Sequence, residues 1–188
     1  MTREDWLNII NDQEAYKELY RDYFKKFYNY GKKFTTNSPL IEDTIQEVFL
    51  DMWSNRQKLL NVKSLNSYFF SSFRYALFRN IKQELKISGT EALETEPQFS
   101  IDYIIINNEI NEELQVKLRK ALTALTAHQR EAILLRFYEN LSYDEVAAIL
   151  NISVKATYKI MARSLSALKE NMLPLIVSLV ILRANRPV

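Results

Sequence analysis

Residues 141–169, reading LSYDEVAAILNISVKATYKIMARSLSALK, constrain the fold more than any other stretch. They spell two short helices joined by one sharp turn. Ser142 is a good N-cap, and Glu145 three residues later completes a capping box that satisfies two orphan amides. Val146, Ala147, Ile149 and Leu150 give the first helix its apolar side, and the small Ala147 lets a second helix come close. Asn151 stands where the chain must turn, and Asn tolerates a left-handed backbone best after Gly. Ser153 can cap the second helix, whose apolar positions are Val154, Met161, Leu165 and Leu168, with Thr157 and Tyr158 between the first two. Lys155, Lys159 and Arg163 recur every four residues on the other side, with no acid between them. An amphipathic hairpin with a solvated basic face is the plain alternative. The box, the Asn turn and the acid-free second helix favour a DNA groove.

Composition narrows the rest. Two Gly and four Pro among 188 residues, with abundant Leu, Ile, Lys, Glu and Tyr, point to an all-α protein. Zero Cys excludes a disulfide framework and thiolate metal sites, and fits a reducing, cytoplasmic setting. The single His128 leaves no cluster for zinc, so neither a metal nor another cofactor is expected. The opening MTREDWLNII lacks the basic flank and apolar run of a signal peptide. A net charge of only +2 excludes a uniformly basic nucleic-acid glove, so the charge blocks carry the information.

From Asp12 to about Phe34 the pattern is helical, with Ala15, Leu19, Tyr23, Phe27 and Tyr30 on one stripe widened by Tyr16, Tyr20 and Phe24. So many rings are assigned to core packing ahead of base stacking. Ser38-Pro39 reads as an N-cap followed by Pro at the first helical position. In the helix that follows, Leu40, Ile41, Ile45, Val48, Phe49 and Met52 face inward, while Glu42, Asp43, Gln46, Glu47 and Asp51 face outward without an interrupting cation. The macrodipole accounts for Glu42 and Asp43 but not for Glu47 and Asp51, so the strip is either a solvated face or a docking surface for a basic partner. Beyond a polar connection over 55–63, a helix capped at Ser64 interleaves Tyr68, Phe69, Phe70, Phe73, Tyr75 and Phe78 with Arg74, Arg79, Lys82 and Lys86. Seven basic residues (Arg56, Lys58, Lys63, Arg74, Arg79, Lys82, Lys86) meet one acid, Glu84. Rings beside cations suit unstacked bases and phosphates, although most of Phe69, Phe73 and Leu77 belongs to a core.

After Ile87 the character changes. Ser88-Gly89-Thr90 breaks the helix, and every charged residue from there to Glu113 is acidic, which reads as an interdomain linker. The second module begins with a helix up to Leu125. Thr126 and Gln129 form another capping box, after which Ile133, Leu134, Phe137 and Leu141 are expected to bury, leaving Arg130 and Arg136 for ligands. Beyond Met172 the run LPLIVSLVIL is well short of the ~20 residues that span a bilayer, so packing or partner docking is expected, without stable membrane insertion.

These residues resemble a bacterial extracytoplasmic-function sigma factor over roughly Glu14 to Lys169. The run LTALTAHQREAILLRFYENLSYDEVAAILNIS is similar to sigma region 4, EDTIQEVFLDMW to the polymerase-binding helix of sigma region 2, and SYFFSSFRYALFRNIKQ to the neighbouring helix that engages the −10 element. The resemblance implies two small helical domains joined by an acidic linker: 1–87 as sigma region 2, 88–108 as linker, 109–171 as sigma region 4, and 172–188 as an apolar tail. It implies that Asp43, Gln46, Glu47, Phe49 and Asp51 bind core RNA polymerase. Arg56, Lys58, Lys63, Arg74, Arg79, Asn80 and Lys82 would lie at the −10 element, and the 55–63 connection would capture a flipped base. Ser153, Lys155, Ala156, Thr157, Lys159, Ile160 and Arg163 would face the −35 element, the cations on phosphates and Ala156 and Ile160 on thymine methyls. An anti-sigma factor is an implied partner beside core polymerase and promoter DNA. The chain departs from the family at Phe73, Arg74 and Tyr75, where Ala-Arg-Asn is frequent, and at Ala156, Thr157, Tyr158 and Ile160 of the recognition helix.

The reading is therefore a non-enzymatic promoter-specificity subunit. A stand-alone helix-turn-helix regulator would use the same C-terminal module but have no use for the acidic strip, and would need a dimer to read two half-sites. An enzyme lacks a nucleophile–base constellation here. An α-helical adaptor would tolerate loss of Lys155, Lys159 and Arg163.

Overall fold

The structure, a computed structural model, describes residues 6, 7, 9, 11–87 and 112–184. The acidic linker expected over 88–108 lies outside these residues. Every regular element among the described residues is helical.

Three helices build the N-terminal layer: α1 (Gln13–Gly31), α2 (Ser38–Ser54) and α3 (Leu65–Ile87), with a short 3-10 turn at Lys58–Asn61 before the third. Asp12 caps α1 by accepting the amides of Glu14 and Ala15, and Ser64 caps α3 by accepting the Ser67 amide at 3.2 Å. The cap of α2 is Asn37, not Ser38: its side chain accepts the Leu40 amide at 3.1 Å, which moves Pro39 one position into the first turn. The Ser38 hydroxyl is engaged instead by the Tyr28 hydroxyl at 3.0 Å and Lys32 Nζ at 3.3 Å. Gly31 lets α1 meet α2, since a Cβ there would lie 2.9 Å from Ile41 Cγ2.

The aromatic stripe of α1 is core, as its spacing predicts. Phe27 stacks on Phe73 with centroids 4.4 Å apart, and Tyr23 meets Phe69 edge-on at 5.0 Å. Phe70 and Phe78 are also buried, so α3 leaves Tyr75 as its large exposed ring, 72% accessible. Trp6 closes one side, its indole N–H donating to the Arg56 carbonyl at 3.2 Å.

The C-terminal layer comprises α4 (Glu112–Thr123), α5 (Ala127–Ile133), a π-turn (Leu134–Tyr138), α6 (Tyr143–Ile149) and α7 (Val154–Ala184). The π-turn corrects one expectation: Phe137 is 59% exposed and Leu135 takes the core position. The Glu139 amide donates to the Leu134 carbonyl five residues back, and the extra residue in that turn rotates Phe137 outward. On α7, Thr157, Met161 and Ser164 are buried, whereas Val154 and Leu165 are 36% and 44% accessible, another departure from the apolar spacing. Both hydroxyls bond back to their own helix, Thr157 to the Ser153 carbonyl at 3.3 Å and Ser164 to that of Ile160 at 2.8 Å. Small side chains there let α6 pack close. The backbone of α7 continues helical through 172–182, and no described helix is long and apolar enough to cross a membrane.

The two layers meet where α3 packs on α6. Tyr30 and Arg74 from one layer converge on Glu131 of the other, and the Ser64 hydroxyl donates to Glu145 Oε1 at 2.7 Å. At the edge, Lys33 lies over the Tyr138 ring at 6.0 Å. Burial there brings the Lys33 ammonium down to about 8, opposed by Glu139, and raises the Glu139 carboxyl to about 7, opposed by Lys26 and Lys33.

Candidate nucleic-acid interface

The helix-turn-helix forms as its capping residues dictate. Glu145 donates its amide to Ser142 Oγ at 3.2 Å, and the Ser142 amide donates to Glu145 Oε2 at 2.8 Å. Burial alone would raise the Glu145 carboxyl, but hydrogen bonds from Ser142, Ser64 and Asn66 hold it below the usual carboxylate range. Asn151 adopts φ 53°, the left-handed turn its position requires, and Asn140 does the same at φ 56° before the first helix. Ser153 accepts the Ala156 amide at 3.1 Å and starts α7. We expect Ser142→Ala to cost about 1 kcal/mol, read as a lower midpoint in urea unfolding, because the Glu145 amide loses its acceptor while the backbone half of the box remains.

Ser153, just before α7, and Lys155, Lys159 and Arg163 on it are exposed. Ala156 and Ile160 are half-buried, and Ile160 packs against the core with one edge outward. Thr157 is fully buried with its hydroxyl spent on its own helix, so it supports the helix instead of reaching a base. Tyr158 is 56% exposed and stacks on Tyr143 at 4.4 Å, which fixes a ring beside the cations. Arg130 and Arg136 are structural. Arg130 donates to the Leu122 and Leu125 carbonyls at 3.2 and 2.8 Å, and Arg136 donates to the Leu141 carbonyl at 2.9 Å across the Tyr143 ring. Each ties down carbonyls where a helix or turn ends.

The residues expected at the −10 element divide. Lys63, Arg79 and Lys82 are exposed, and Lys58 lies in the 3-10 turn. Arg56 stacks on Trp53 at 4.4 Å and donates to the Trp53 carbonyl at 2.9 Å, which ends α2. Asn80 donates to Thr44 Oγ1 at 3.0 Å and to Glu47 Oε2 at 3.2 Å. Arg74 does not face solvent: its Nε donates to Glu131 Oε1 at 2.7 Å, and the two side chains are 13% and 4% accessible. Tyr30, wholly buried, donates its hydroxyl to the same oxygen at 2.5 Å. Burial first, and the Glu131 charge second, push the Tyr30 phenol well up, so it stays a donor. Arg74, Tyr75, Arg79 and Lys82 line a cleft of ≈ 830 Å³ whose other wall is 148–152. A carboxylate on the buried side of α5 was the available signal for Glu131, an acid among Ala132, Leu134 and Leu135.

On α2, Asp43, Gln46, Glu47 and Asp51 are exposed, as the strip predicts, while Phe49 is buried. Burial opposes ionisation of Glu47, but hydrogen bonds from Arg79 and Asn80 and the Arg79 charge hold its carboxyl below the usual range. Arg79 Nη2 lies 2.5 Å from Glu47 Oε1, so a candidate DNA cation and a candidate docking acid neutralise each other. Beside the strip runs an apolar groove of ≈ 380 Å³ between α1 and α2, lined by Tyr16, Tyr20, Phe49, Leu50 and Trp53. Leu50 is 68% exposed. An apolar residue in step with Asp43, Gln46 and Glu47 on the outward side was the sequence signal for it.

Residues 115–168 match the family model for sigma-70 region 4. Over 164 residues, 87% of this chain and 95% of the relative, the sequence is 22% identical to RNA polymerase sigma factor YlaC of Bacillus subtilis (strain 168). The fold is similar to that of the Bartonella quintana sigma factor RpoE, solved with the anti-sigma factor NepR, at TM-score 0.59 and 19% identity, covering 85% of this chain and 97% of that one. It is also similar to CnrH, solved with the cytosolic domain of CnrY, at TM-score 0.58 and 17% identity over 98% of both chains.

Proposed function

We infer that the chain is a sigma factor of the extracytoplasmic-function group, a subunit that directs RNA polymerase to promoters. The observation that carries this is the capped helix-turn-helix within the region 4 match, whose second helix exposes Lys155, Lys159 and Arg163 in an acid-free row. The protein contributes recognition and melting, and the chemistry belongs to the polymerase. It works in the cytoplasm and has no catalytic residues of its own.

The two modules divide the task. Residues 1–87 serve as region 2 and 109–171 as region 4, with 88–108 as the tether and 172–188 as an appended tail. Lys155, Lys159 and Arg163 hold phosphates near the −35 element, with Ser153, Ala156 and the exposed edge of Ile160 facing bases. Lys63, Arg79 and Lys82, with Arg74 once exposed, grip the −10 region. Lys58 is a further cation for that region, and Arg56 and Asn80 shape the surface. On α2, the strip of Asp43, Gln46, Glu47 and Asp51 rims the apolar groove that receives core polymerase, and Phe49 forms part of its floor. An anti-sigma factor is a further expected partner, in keeping with the complexes of the two similar structures.

The experiment is in vitro transcription with core polymerase on random promoter fragments, followed by sequencing of the start sites. Start sites sharing two spaced motifs support the reading; no transcript above core alone removes it. In the same system, changing Lys155, Lys159 and Arg163 together to Ser should weaken upstream DNA binding and lower the salt slope by about 0.9 for each phosphate that is no longer neutralised.

A further inference from the structure

The guanidinium expected to face melted DNA is held elsewhere. Arg74 of α3 presents Nε and Nη2 to the two oxygens of Glu131 on α5, at 2.7 and 3.4 Å, and Tyr30 of α1 adds the hydrogen bond described above. Fifty-seven residues separate Arg74 from Glu131, so this contact exists only while the two modules are closed on each other. Glu131 of the C-terminal module buries the Arg74 side chain at one end of the cleft, leaving it 13% accessible, whereas Lys155, Lys159 and Arg163 stay exposed.

We propose that the Tyr30–Glu131–Arg74 contact is an autoinhibitory latch, in which Glu131 occupies Arg74 in place of a DNA phosphate until the modules separate. The inference rests on the sigma reading for its DNA partner but not for the closure itself. Its chemistry is an exchange of like for like: a carboxylate and a phosphate both offer two oxygens to the fork of one guanidinium. Such a contact can let go. Removing two charges from water offsets most of what their attraction returns, so a buried ion pair fixes an arrangement without binding it tightly. Once apart, Arg74 and Glu131 regain hydration, and Arg74 is available to nucleic acid. The latch thus separates the two grips: the −35 surface is open in the closed protein, and the Arg74 part of the −10 surface is not.

The test uses the full chain, which has no cysteine, with dyes on Gln83→Cys and Ser166→Cys, both exposed positions on α3 and α7. Energy transfer between them reads closure, and circular dichroism checks folding. The probe is a duplex of random sequence with a central mismatched bubble. Glu131→Gln and the milder Tyr30→Phe are expected to shift transfer toward the open form and to tighten bubble binding about tenfold for Glu131→Gln, less for Tyr30→Phe. Arg74→Ala should open the protein without that gain, since it removes the cation with the latch. Unchanged transfer in folded Glu131→Gln and Tyr30→Phe overturns the latch. Opening without tighter bubble binding overturns its inhibitory role, and a gain in Arg74→Ala equal to that of Glu131→Gln overturns the part given to the guanidinium. Transcription by the wild-type chain is scored separately, so failure of the sigma reading is told apart from failure of the latch.

Discussion

Phe73→Ala is expected to destabilise the protein by about 3–5 kcal/mol, measured as the shift in urea midpoint at constant m. Phe73 is fully buried, stacks face to face on Phe27 and meets the Tyr30 ring edge-on at 6.2 Å. Its loss removes the transfer energy of a whole ring and leaves a hole that rigid neighbours cannot fill, because Phe27, Tyr30 and Phe70 are themselves fixed by contacts with one another. A cost of that size is a large share of the ~5–15 kcal/mol that holds a typical domain together. The same substitution slackens the support of Tyr30, so it should loosen the contact with Glu131 as well. Tyr75→Ala two positions on is the control, since its ring is largely solvent-exposed and a surface change of this kind stays within about 0.5 kcal/mol.

The second large effect is on partner binding. Leu50→Asp is expected to weaken association with core polymerase by about 2 kcal/mol or more, roughly thirtyfold, with stability unchanged. Leu50 is largely exposed and lines the apolar groove with Phe49 and Trp53, where an interface would exclude water. A carboxylate there would be desolvated without a partner. A pull-down or fluorescence titration with core polymerase measures it, and unaltered affinity would move the docking surface elsewhere. Glu47→Lys also tests the surface, and retained binding would count against the acidic strip. It is less clean than Leu50→Asp, because it sets a cation against Arg79 and releases Asn80, so weaker binding would mix a docking effect with a rearranged α2–α3 contact.

What was legible in the sequence is local. Both capping boxes, the Ser64 and Ser153 caps, the left-handed Asn151 and the aromatic stripe of α1 depend on residues three or four apart, and the side chains that decide them are all in view. The exceptions are instructive at the same scale. Ser38 lost the α2 cap to Asn37 because Tyr28 and Lys32, from the preceding helix, claim its hydroxyl. Phe137 turned outward because one π-type bond shifted the register of a short turn. Neither competitor shows in a hydrophobic pattern.

The fate of the charged residues was decided only by the fold. Sequence spacing places Arg74, Arg79 and Glu47 on outward faces of their helices, which is where each of them is within its own layer. It cannot say what stands opposite. Arg79 meets Glu47 thirty-two residues away, and Arg74 meets Glu131 on another module, so two cations expected on DNA and one acid expected on a partner have partners inside the chain. The physical reason is range. A helix and its caps are set by neighbours along the backbone, whereas an ion pair between helices exists only after two surfaces have met, as the half-exposed Arg79–Glu47 pair and the buried Arg74–Glu131 pair both show. The sequence alone therefore determined most of the helices and caps and the acid-free basic row of α7. The tertiary structure decided which of the remaining charges are still free to bind.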